Sequence, residues 1–405
     1  MRADLDLKEP ANARDPYPVF DWLREHDPVH WSESLRAWVV TRYPDVLEIW
    51  NRPELFSSDR FRKVRAEFTS QRPEVRAVAS VLADWLVFRD PPDHTRLRAL
   101  LQKAFTPRQL EKSRPRIQAA IDALIDAASS RGEMEFVAEF AFPLPALVIA
   151  LLLGAPAEDI EPIKRWSDQL AAYLGGSLDG EDNFTRARAG ITGLVDYFTA
   201  LLREKRRDPG DDLIGLMLRA EHEGHTLGAD EIVSNCVLLL FAGHETTTNL
   251  LANGLFHLLR HPGALAQLRA RPALGASAVE ELLRYESPVP ATVKVATEDF
   301  EFRGARLRAG EMVLPFLSAA NRDSRQFPDP DRLDLARQPN RHLAFGWGIH
   351  FCLGAPLARL EAGLAFRSLL ERLPDLALVD AEPRWQPWLF FRSLEELRVV
   401  LGPAR

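Results

Sequence analysis

The chain has 405 residues, with 51 Lys and Arg against 58 Asp and Glu, so its formal net charge is −7. A hydrophobic fraction of 46% indicates a globular protein with a large core, and the acidic balance argues against a general nucleic-acid binder. Two cysteines, Cys236 and Cys352, are too few for a disulfide framework or a cysteine-rich zinc site. If a cysteine does chemistry in this protein, it works alone.

The N-terminus and the most apolar stretch both favour a cytoplasmic protein. The first residues lack the apolar core of a secretory signal. The stretch 140–157 is long enough to raise the question of a membrane span, but prolines near its start and Gly154-Ala-Pro156 at its end favour a buried helix. No repeat and no Gly/Ser-rich linker divides the sequence, so we expect one domain over residues 1–405.

Hydrophobic spacing and breaker residues predict a mainly α chain with a minor β portion. A strand is expected at 37–41 and a short helix at 45–50, whereas 60–85 is charged and irregular and yields no assignment. Helices are predicted at 95–104, 107–129, 142–153, 159–174, 183–207, 211–221, 228–260, 276–285 and 356–373. A small β meander is expected over 293–313, a loop over 329–340, and strands near 376–379 and 397–401.

The helix predicted over 228–260 is unusual in length and in composition. Asp230 and Glu231 occupy its first turn, and the pair His261-Pro262 follows its end. At 1.5 Å per residue it would span roughly 45 Å. Its middle, 236–242, is apolar all round, so we expect this helix to cross the core and to be buried on every face.

The strongest chemical signal is the loop 345–354, Phe-Gly-Trp-Gly-Ile-His-Phe-Cys-Leu-Gly. Its three glycines permit tight turns and close backbone approach to a flat object. Cys352 precedes a helix with Pro356 in its first turn, and free amides and the helix dipole stabilise a thiolate there. Such a thiolate suits an axial ligand to heme iron. The alternatives are a structural cysteine, which is the interpretation for Cys236, and a nucleophile with His350 as its base.

This loop matches the heme-binding signature of the cytochrome P450 family, which the chain resembles over nearly its whole length, and the bacterial members most. The resemblance implies the cytochrome P450 fold, with a long central helix crossing the heme. It implies heme b (iron protoporphyrin IX) as cofactor, with Cys352 as the axial ligand of the iron and Phe345 and Gly346 in the binding loop.

An acid and an alcohol stand in the middle of the long helix, in the sequence Ala242-Gly-His-Glu-Thr-Thr247. The glycine weakens a helix interior and threonine hydroxyls can bond carbonyls one turn back, so we predict a local distortion. A solvent-facing patch is the plainer interpretation. By resemblance, Glu245 links to solvent protons and Thr246 orders a hydrogen bond near bound dioxygen. Thr247 is expected to be structural, and His244 has no assigned role.

The resemblance implies roles for two further sets of charged residues, a structural ion pair and the partners of the heme propionates. Glu281 and Arg284 share a helix face, a common spacing that in the family forms a buried structural pair behind the heme. Arg341 or a nearby loop group is expected to join it. For the heme propionates, the resemblance implies four partners, of which the last replaces the family's usual arginine: His94, Arg98, His350 and Lys294.

The resemblance also places a substrate pocket, beside segment 388–391, unassigned residues of 60–88 and the surroundings of Tyr173. The lining implied by the resemblance is mostly apolar: Leu239, Ala242, Val289, Thr292 and Val293. We therefore expect a heme-thiolate monooxygenase that inserts one atom of O2 into a mainly hydrophobic small organic substrate.

Electrons are expected from an external ferredoxin or flavodoxin-type donor with its reductase, through a basic face containing Arg96, Lys103, Arg108 and Lys112. No nucleic acid and no membrane is expected as a partner. A peroxygenase, a heme ligand-binding protein without turnover and a helical scaffold without heme remain alternatives.

Overall fold

The computed structural model describes residues 5–62, 73–176, 183–222 and 227–402. Its helices surround one long central helix. In chain order they are α1 Pro10–Arg14, α2 Tyr17–His26, α3 Tyr43–Asn51, α4 Pro73–Ala83, α5 Asp93–Leu101, α6 Pro107–Ser129, α7 Pro143–Leu153, α8 Ile160–Leu174, α9 Asn183–Lys205, α10 Leu213–His222, α11 Ala229–Arg260, α12 Pro262–Ala270, α13 Gly275–Tyr285, α14 Leu317–Ala320 and α15 Ala355–Arg372.

Ten short strands form three small sheets in the described residues. The strands are β1 Val29–Ser32, β2 Ala37–Val40, β3 Phe56–Ser57, β4 Glu133–Glu135, β5 Lys294–Ala296, β6 Phe300–Phe302, β7 Ala305–Leu307, β8 Met312–Pro315, β9 Ala377–Leu378 and β10 Arg398–Val400. The largest sheet has the order β1-β2-β8-β5-β3, in which β2 and β8 are parallel. The other two are β4-β10-β9 and the hairpin β6-β7.

The central helix α11 is 32 residues long and almost wholly buried between its two ends. It packs against α7, α9, α13 and α15. Two glycines permit the closest approaches, because a Cβ at Gly243 would lie 2.8 Å from Ile149 Cγ1 and one at Gly254 would lie 2.6 Å from Phe366 Cζ. The helix continues through Gly243 without a break, and the glycine permits close packing. The local distortion stays a prediction.

The apolar stretch that raised the membrane question forms a π turn, Val137–Ala141, followed by α7. Gly154 ends this helix in the left-handed conformation, with φ of 77°. Leu144, Val148 and Ile149 are buried in the main core, as expected of an internal helix. Among the described residues, no helix is both long and apolar enough to cross a membrane.

Most predicted helices lie within a few residues of their observed bounds, and three differences have clear causes. The predicted meander over 293–313 is two structures: β5 pairs with β8, while β6 and β7 form a separate hairpin. Helix α12 was missed because Pro262, its first residue, was interpreted only as a stop signal for the preceding helix. The unassigned region 60–85 contains α4, and a 3-10 turn at Leu86–Phe88 follows it, while residues 63–72 lie outside the described part.

Candidate active site

The cysteine loop is closed by its own backbone. The Cys352 amide donates to the Phe345 carbonyl at 2.8 Å, and α15 begins three residues after the cysteine. Gly346 and Gly348 have φ of 69° and 64°, and both stand against Trp50, so side chains there would be strained as well as crowded. Gly354 is different: it is helical, with φ of −81°, and needs no glycine for its conformation.

The Cys352 thiol is accessible, whereas Cys236 is buried in α11. Burial among protein atoms nevertheless raises the pKa of Cys352, while backbone amides of Gly354 and Ala355 and the charge of Arg98 oppose that rise. These amides and the nearby cation favour the thiolate that a metal ligand must be.

The four predicted propionate partners meet beside this loop. The rings of His94 and His350 lie 4.2 Å apart, and Arg98 Nη2 donates to the Phe351 carbonyl at 2.7 Å. Lys294 Nζ donates to Ser58 Oγ at 2.7 Å, and that hydroxyl lies 3.0 Å from His350 Nε2. Four basic side chains from distant parts of the sequence thus form one cationic cluster, in which Arg98 and Lys294 carry the positive charge.

This cluster has the electrostatics of an anion site. Burial, followed by the neighbouring cations, lowers the pKa of His94 to about 4 and that of His350 to about 2. Burial lowers the pKa of Lys294 to about 8, against the attraction of Asp90. Both ring nitrogens of His94 are buried without a hydrogen-bond partner. Carboxylates placed here would satisfy these donors and relieve the repulsion, so the residues fit a group with two propionates beside a thiolate.

On the central helix, Glu245 is buried with 8% of its surface exposed, which excludes the solvent-facing patch. Its Oε1 accepts from Asn249 Nδ2 at 3.2 Å and from Ser393 Oγ at 3.5 Å. Burial outweighs both hydrogen bonds and raises the pKa of Glu245 to about 7. The neighbouring Thr246 hydroxyl donates to the Ala242 carbonyl at 2.8 Å. A carboxyl with this pKa both takes up and releases protons near neutrality.

His244 and Thr247 occupy other faces of the helix. His244 is buried, with Nδ1 2.7 Å from the Leu240 carbonyl and its ring against Phe142 and Phe241. Burial lowers its pKa to about 4, so it is neutral in this packing. Thr247 is also buried. Both positions suit packing.

Glu281 and Arg284 form a bidentate pair with no exposed side-chain surface. Arg284 Nε and Nη2 donate to the two Glu281 oxygens at 2.7 and 2.8 Å. The group that joins them is Arg337, whose Nε lies 3.1 Å from both oxygens, together with Asn340. The expectation of Arg341 or a nearby loop group is confirmed for the nearby groups, Arg337 and Asn340. The Arg341 side chain itself is exposed, and its carbonyl accepts from Tyr43.

The predicted pocket residues fall on two packing clusters. Leu239 and Ala242 belong to the main core, while Val293 packs in a second cluster that also contains Leu389 and Phe390. Val289 and Thr292 are half-buried, and the Thr292 hydroxyl is buried without a hydrogen-bond partner. A surface cleft of about 720 Å³ along residues 91–103 contains none of these residues.

Sequence reasoning missed the partners that tune the site. Asn249 stands four residues after Glu245, so helical spacing could have found it. Ser58 and Ser393 carry no local signal, because their contacts join positions more than 140 residues apart. Arg96 was expected on an open basic face, but it binds Glu231.

Known proteins resemble this chain closely. The profile of the family described as Cytochrome P450 matches residues 179–271 and 274–377. The biotin biosynthesis cytochrome P450 of Bacillus subtilis (strain 168) is 41% identical over 396 residues, covering 96% of each chain. Cytochrome P450 monooxygenase PikC of Streptomyces venezuelae is 40% identical over 397 residues, covering 96% of this chain and 91% of its own. The crystal structure of myxobacterial cytochrome P450 CYP267B1, in complex with myristic acid, has a TM-score of 0.89 and 42% identity over 98% of both chains.

Proposed function

Because the chain belongs to the cytochrome P450 family and is therefore a heme-binding oxidoreductase, we propose that it inserts one oxygen atom from O2 into a mainly hydrophobic small organic substrate. The observation that carries this proposal is the buried Glu245, whose pKa is near 7, beside the Thr246 hydroxyl. Reduction of dioxygen to water and an inserted oxygen atom consumes protons, and this pair is suited to their delivery.

The residues that would hold heme b fall on both sides of the cysteine loop. Cys352 is the proposed axial ligand of the iron, and Phe345 and Gly346 shape the loop around it. The cationic cluster of His94, Arg98, Lys294 and His350 is the proposed site of the propionates. When bound, heme supplies the iron at which dioxygen is activated.

Glu245 holds and moves the proton in this proposal. Asn249 and Ser393 fix its carboxyl from one side, and Thr246 follows it on the helix. The Thr246 hydroxyl donates its hydrogen to the Ala242 carbonyl. Its oxygen therefore remains available as an acceptor that can order a water molecule. The burial of Glu245 limits the access of bulk solvent to the reacting oxygen.

The apolar substrate class is supported by the side chains around the proposed pocket. Leu239, Ala242, Val289 and Val293 offer no charge to a bound molecule. The relative CYP267B1 binds myristic acid, a mainly hydrocarbon molecule. We propose that this chain selects its substrate chiefly by apolar contact.

The proposed electron donor is an external ferredoxin or flavodoxin-type protein with its reductase. Lys103 and Lys112 are exposed, and they remain candidates for a docking face. Arg96 is a weaker candidate because Glu231 neutralises it, and the side chain of Arg108 lies outside the described part.

The first test is the spectrum of the ferrous–CO complex, followed by product formation. A strongly red-shifted Soret band that Cys352→Ser abolishes is expected for thiolate ligation. Product formed with O2, a reductase and a ferredoxin supports the monooxygenase. Product formed only with hydrogen peroxide would indicate a peroxygenase, and spectral binding of ligands without any product would indicate a binding protein.

A further inference from the structure

Arg60 is a cation that no carboxylate of the described residues 5–62, 73–176, 183–222 and 227–402 neutralises. Its guanidinium carbon lies 4.1 Å from the Phe88 ring centroid and 5.2 Å from that of Phe61. Burial lowers the pKa of Arg60 to about 10, and only the interaction with Tyr173 opposes this. Within the described residues no carboxylate pairs with it. Arg60 is half-buried against these two rings, so it retains part of its hydration, and an anion bound there would gain a charge-assisted contact.

This guanidinium is separate from the cationic cluster beside Cys352. Ser58, only two residues earlier, bonds Lys294 and lies against His350. The charges that shift the pKa values of His94, Lys294 and His350 come from one another, from Arg98 and from Asp90, and Arg60 is not among them. An anion bound by Arg60 would therefore be distinct from the propionates.

The surroundings of Arg60 are aromatic and lead to the central helix. The Phe88 ring lies 5.3 Å from Phe61 and 5.9 Å from Trp85, and Trp85 lies 6.3 Å from Phe241. Phe241 immediately precedes Ala242 of the proposed pocket. Arg60 thus stands at the far end of a row of rings that begins on the helix of Glu245 and Thr246.

Two other proposed lining elements, the end of α8 and the segment 388–391, also lie in this region. Tyr173, whose hydroxyl acts on Arg60, is at the end of α8. Gly175 follows it, and its carbonyl accepts from the Phe390 amide at 2.9 Å. The end of α8 and the segment 388–391 therefore meet where the cation is placed.

We propose that Arg60 binds the carboxylate of a substrate whose remaining body is apolar, an inference that rests on the proposed monooxygenase function. One planar guanidinium matches one carboxylate in charge and in its two parallel hydrogen bonds. A phosphate dianion would need a second cation, and the described residues offer none that acts on Arg60. With the carboxylate held at the far end of the aromatic row, a carbon distant from the carboxyl group is presented for oxidation.

Paired ligands that differ only in charge test this proposal. Dodecanoic acid and methyl dodecanoate are titrated by the spin-state shift of the heme and by calorimetry, in wild type, Arg60→Gln and Arg60→Lys. Arg62→Gln is the matched control, because Arg62 is two residues away and exposed. We expect wild type to bind the acid at least tenfold more tightly than the ester, Arg60→Gln to lose this preference, Arg60→Lys to restore part of it, and Arg62→Gln to keep it.

Two results would overturn the proposal. Equal binding of acid and ester by wild type removes the need for a carboxylate receptor. Equal weakening of both ligands by Arg60→Gln means that Arg60 serves only the packing of Phe61 and Phe88. Each titration uses protein whose ferrous–CO spectrum reports thiolate ligation, so a failure here differs from a failure of the proposed function, in which wild type itself lacks that spectrum.

Discussion

The two cysteines show how the same residue type takes opposite roles. Burial in α11 raises the pKa of Cys236 well above its ordinary range, so it remains a neutral apolar side chain. Cys352 is accessible and stands before α15, with backbone amides directed at its sulfur. The difference arises from the backbone around each thiol rather than from the thiol itself.

Replacing each cysteine separates these roles. Cys352→Ser is expected to lose the red-shifted Soret band of the ferrous–CO complex, because a hydroxyl is a poor substitute for thiolate as a ligand. Cys236→Ala is the control, and it should retain the band with a modest loss of thermal stability. Retention of the band in Cys352→Ser would refute the proposed ligation.

Glu245 gives the protein a pH dependence that can be measured without turnover. Its pKa is raised from 4.5 to about 7 in the folded protein, so its favourable contribution to stability is fully present below pH 4.5 and is lost as pH rises through 7. Between pH 5 and 8 wild type should lose about 2 kcal/mol of unfolding free energy relative to Glu245→Gln. Denaturant unfolding at the two pH values measures this, and parallel losses would contradict it.

The same substitution tests the proton path. Glu245→Gln keeps the shape of the side chain but carries no exchangeable carboxyl proton. We expect product formation to fall about a hundredfold and any step in the rate near pH 7 to disappear. An unaltered pH–rate profile would show that protons arrive by another group.

Thr246 is expected to couple reductant use to product formation. Thr246→Ala should consume reductant at a similar rate and yield less product, because no hydroxyl orders the water beside Glu245. Thr246→Ser retains the hydroxyl and should retain most of the coupling. The ratio of product to reductant measures both, and equal ratios in the two variants would exclude a role of the hydroxyl.

At the scale of elements, one helix spacing yields two very different ion pairs. Glu281 and Arg284 in α13 are fully buried and are linked to Arg337, whereas Glu111 and Arg114 in α6 have the same i,i+3 spacing in solvent. Packing of α13 against α11 and α15 makes the first pair internal. Its network connects α13 to the loop that follows α14.

Matched substitutions measure this difference. Glu281→Gln leaves Arg284 and Arg337 buried without their carboxylate, and we expect a loss of about 3–5 kcal/mol in unfolding free energy and weak heme retention. Glu111→Gln should change neither measurably, because solvent screens that pair. Similar effects of the two substitutions in denaturant unfolding would contradict the structural role of the buried network.

At the scale of the whole molecule, the fold assembles charges from distant segments into one site. His94 belongs to α5, Lys294 to β5 and His350 to the cysteine loop. Even so, the His350 ring lies against His94, and Ser58 contacts both His350 and Lys294. The large sheet carries Lys294 to this place because β5 pairs with both β3 and β8. Although the net charge of the whole chain is −7, this site therefore has a local surplus of positive charge.

Electron delivery also depends on the whole molecule, because the donor is expected to dock on its surface charges. Charge reversal at Lys103 and Lys112 is expected to slow reduction by a ferredoxin severalfold at low ionic strength and much less at high ionic strength, because salt screens exposed charges. Stopped-flow reduction at the two salt concentrations measures this. Equal slowing at both would exclude electrostatic docking at these residues.

The sequence by itself determined features that depend on neighbours along the chain. Helical spacing placed α6 at its observed bounds and brought Glu281 opposite Arg284, and the glycines around Cys352 defined the loop. Tertiary structure alone decided that Arg337 and not Arg341 joins the buried pair, that Ser393 faces Glu245, and that Arg60 stands apart from every carboxylate in the described part of the chain. The physical reason is range: local geometry repeats every three or four residues, whereas burial and the pKa values depend on segments that only the folded chain brings together.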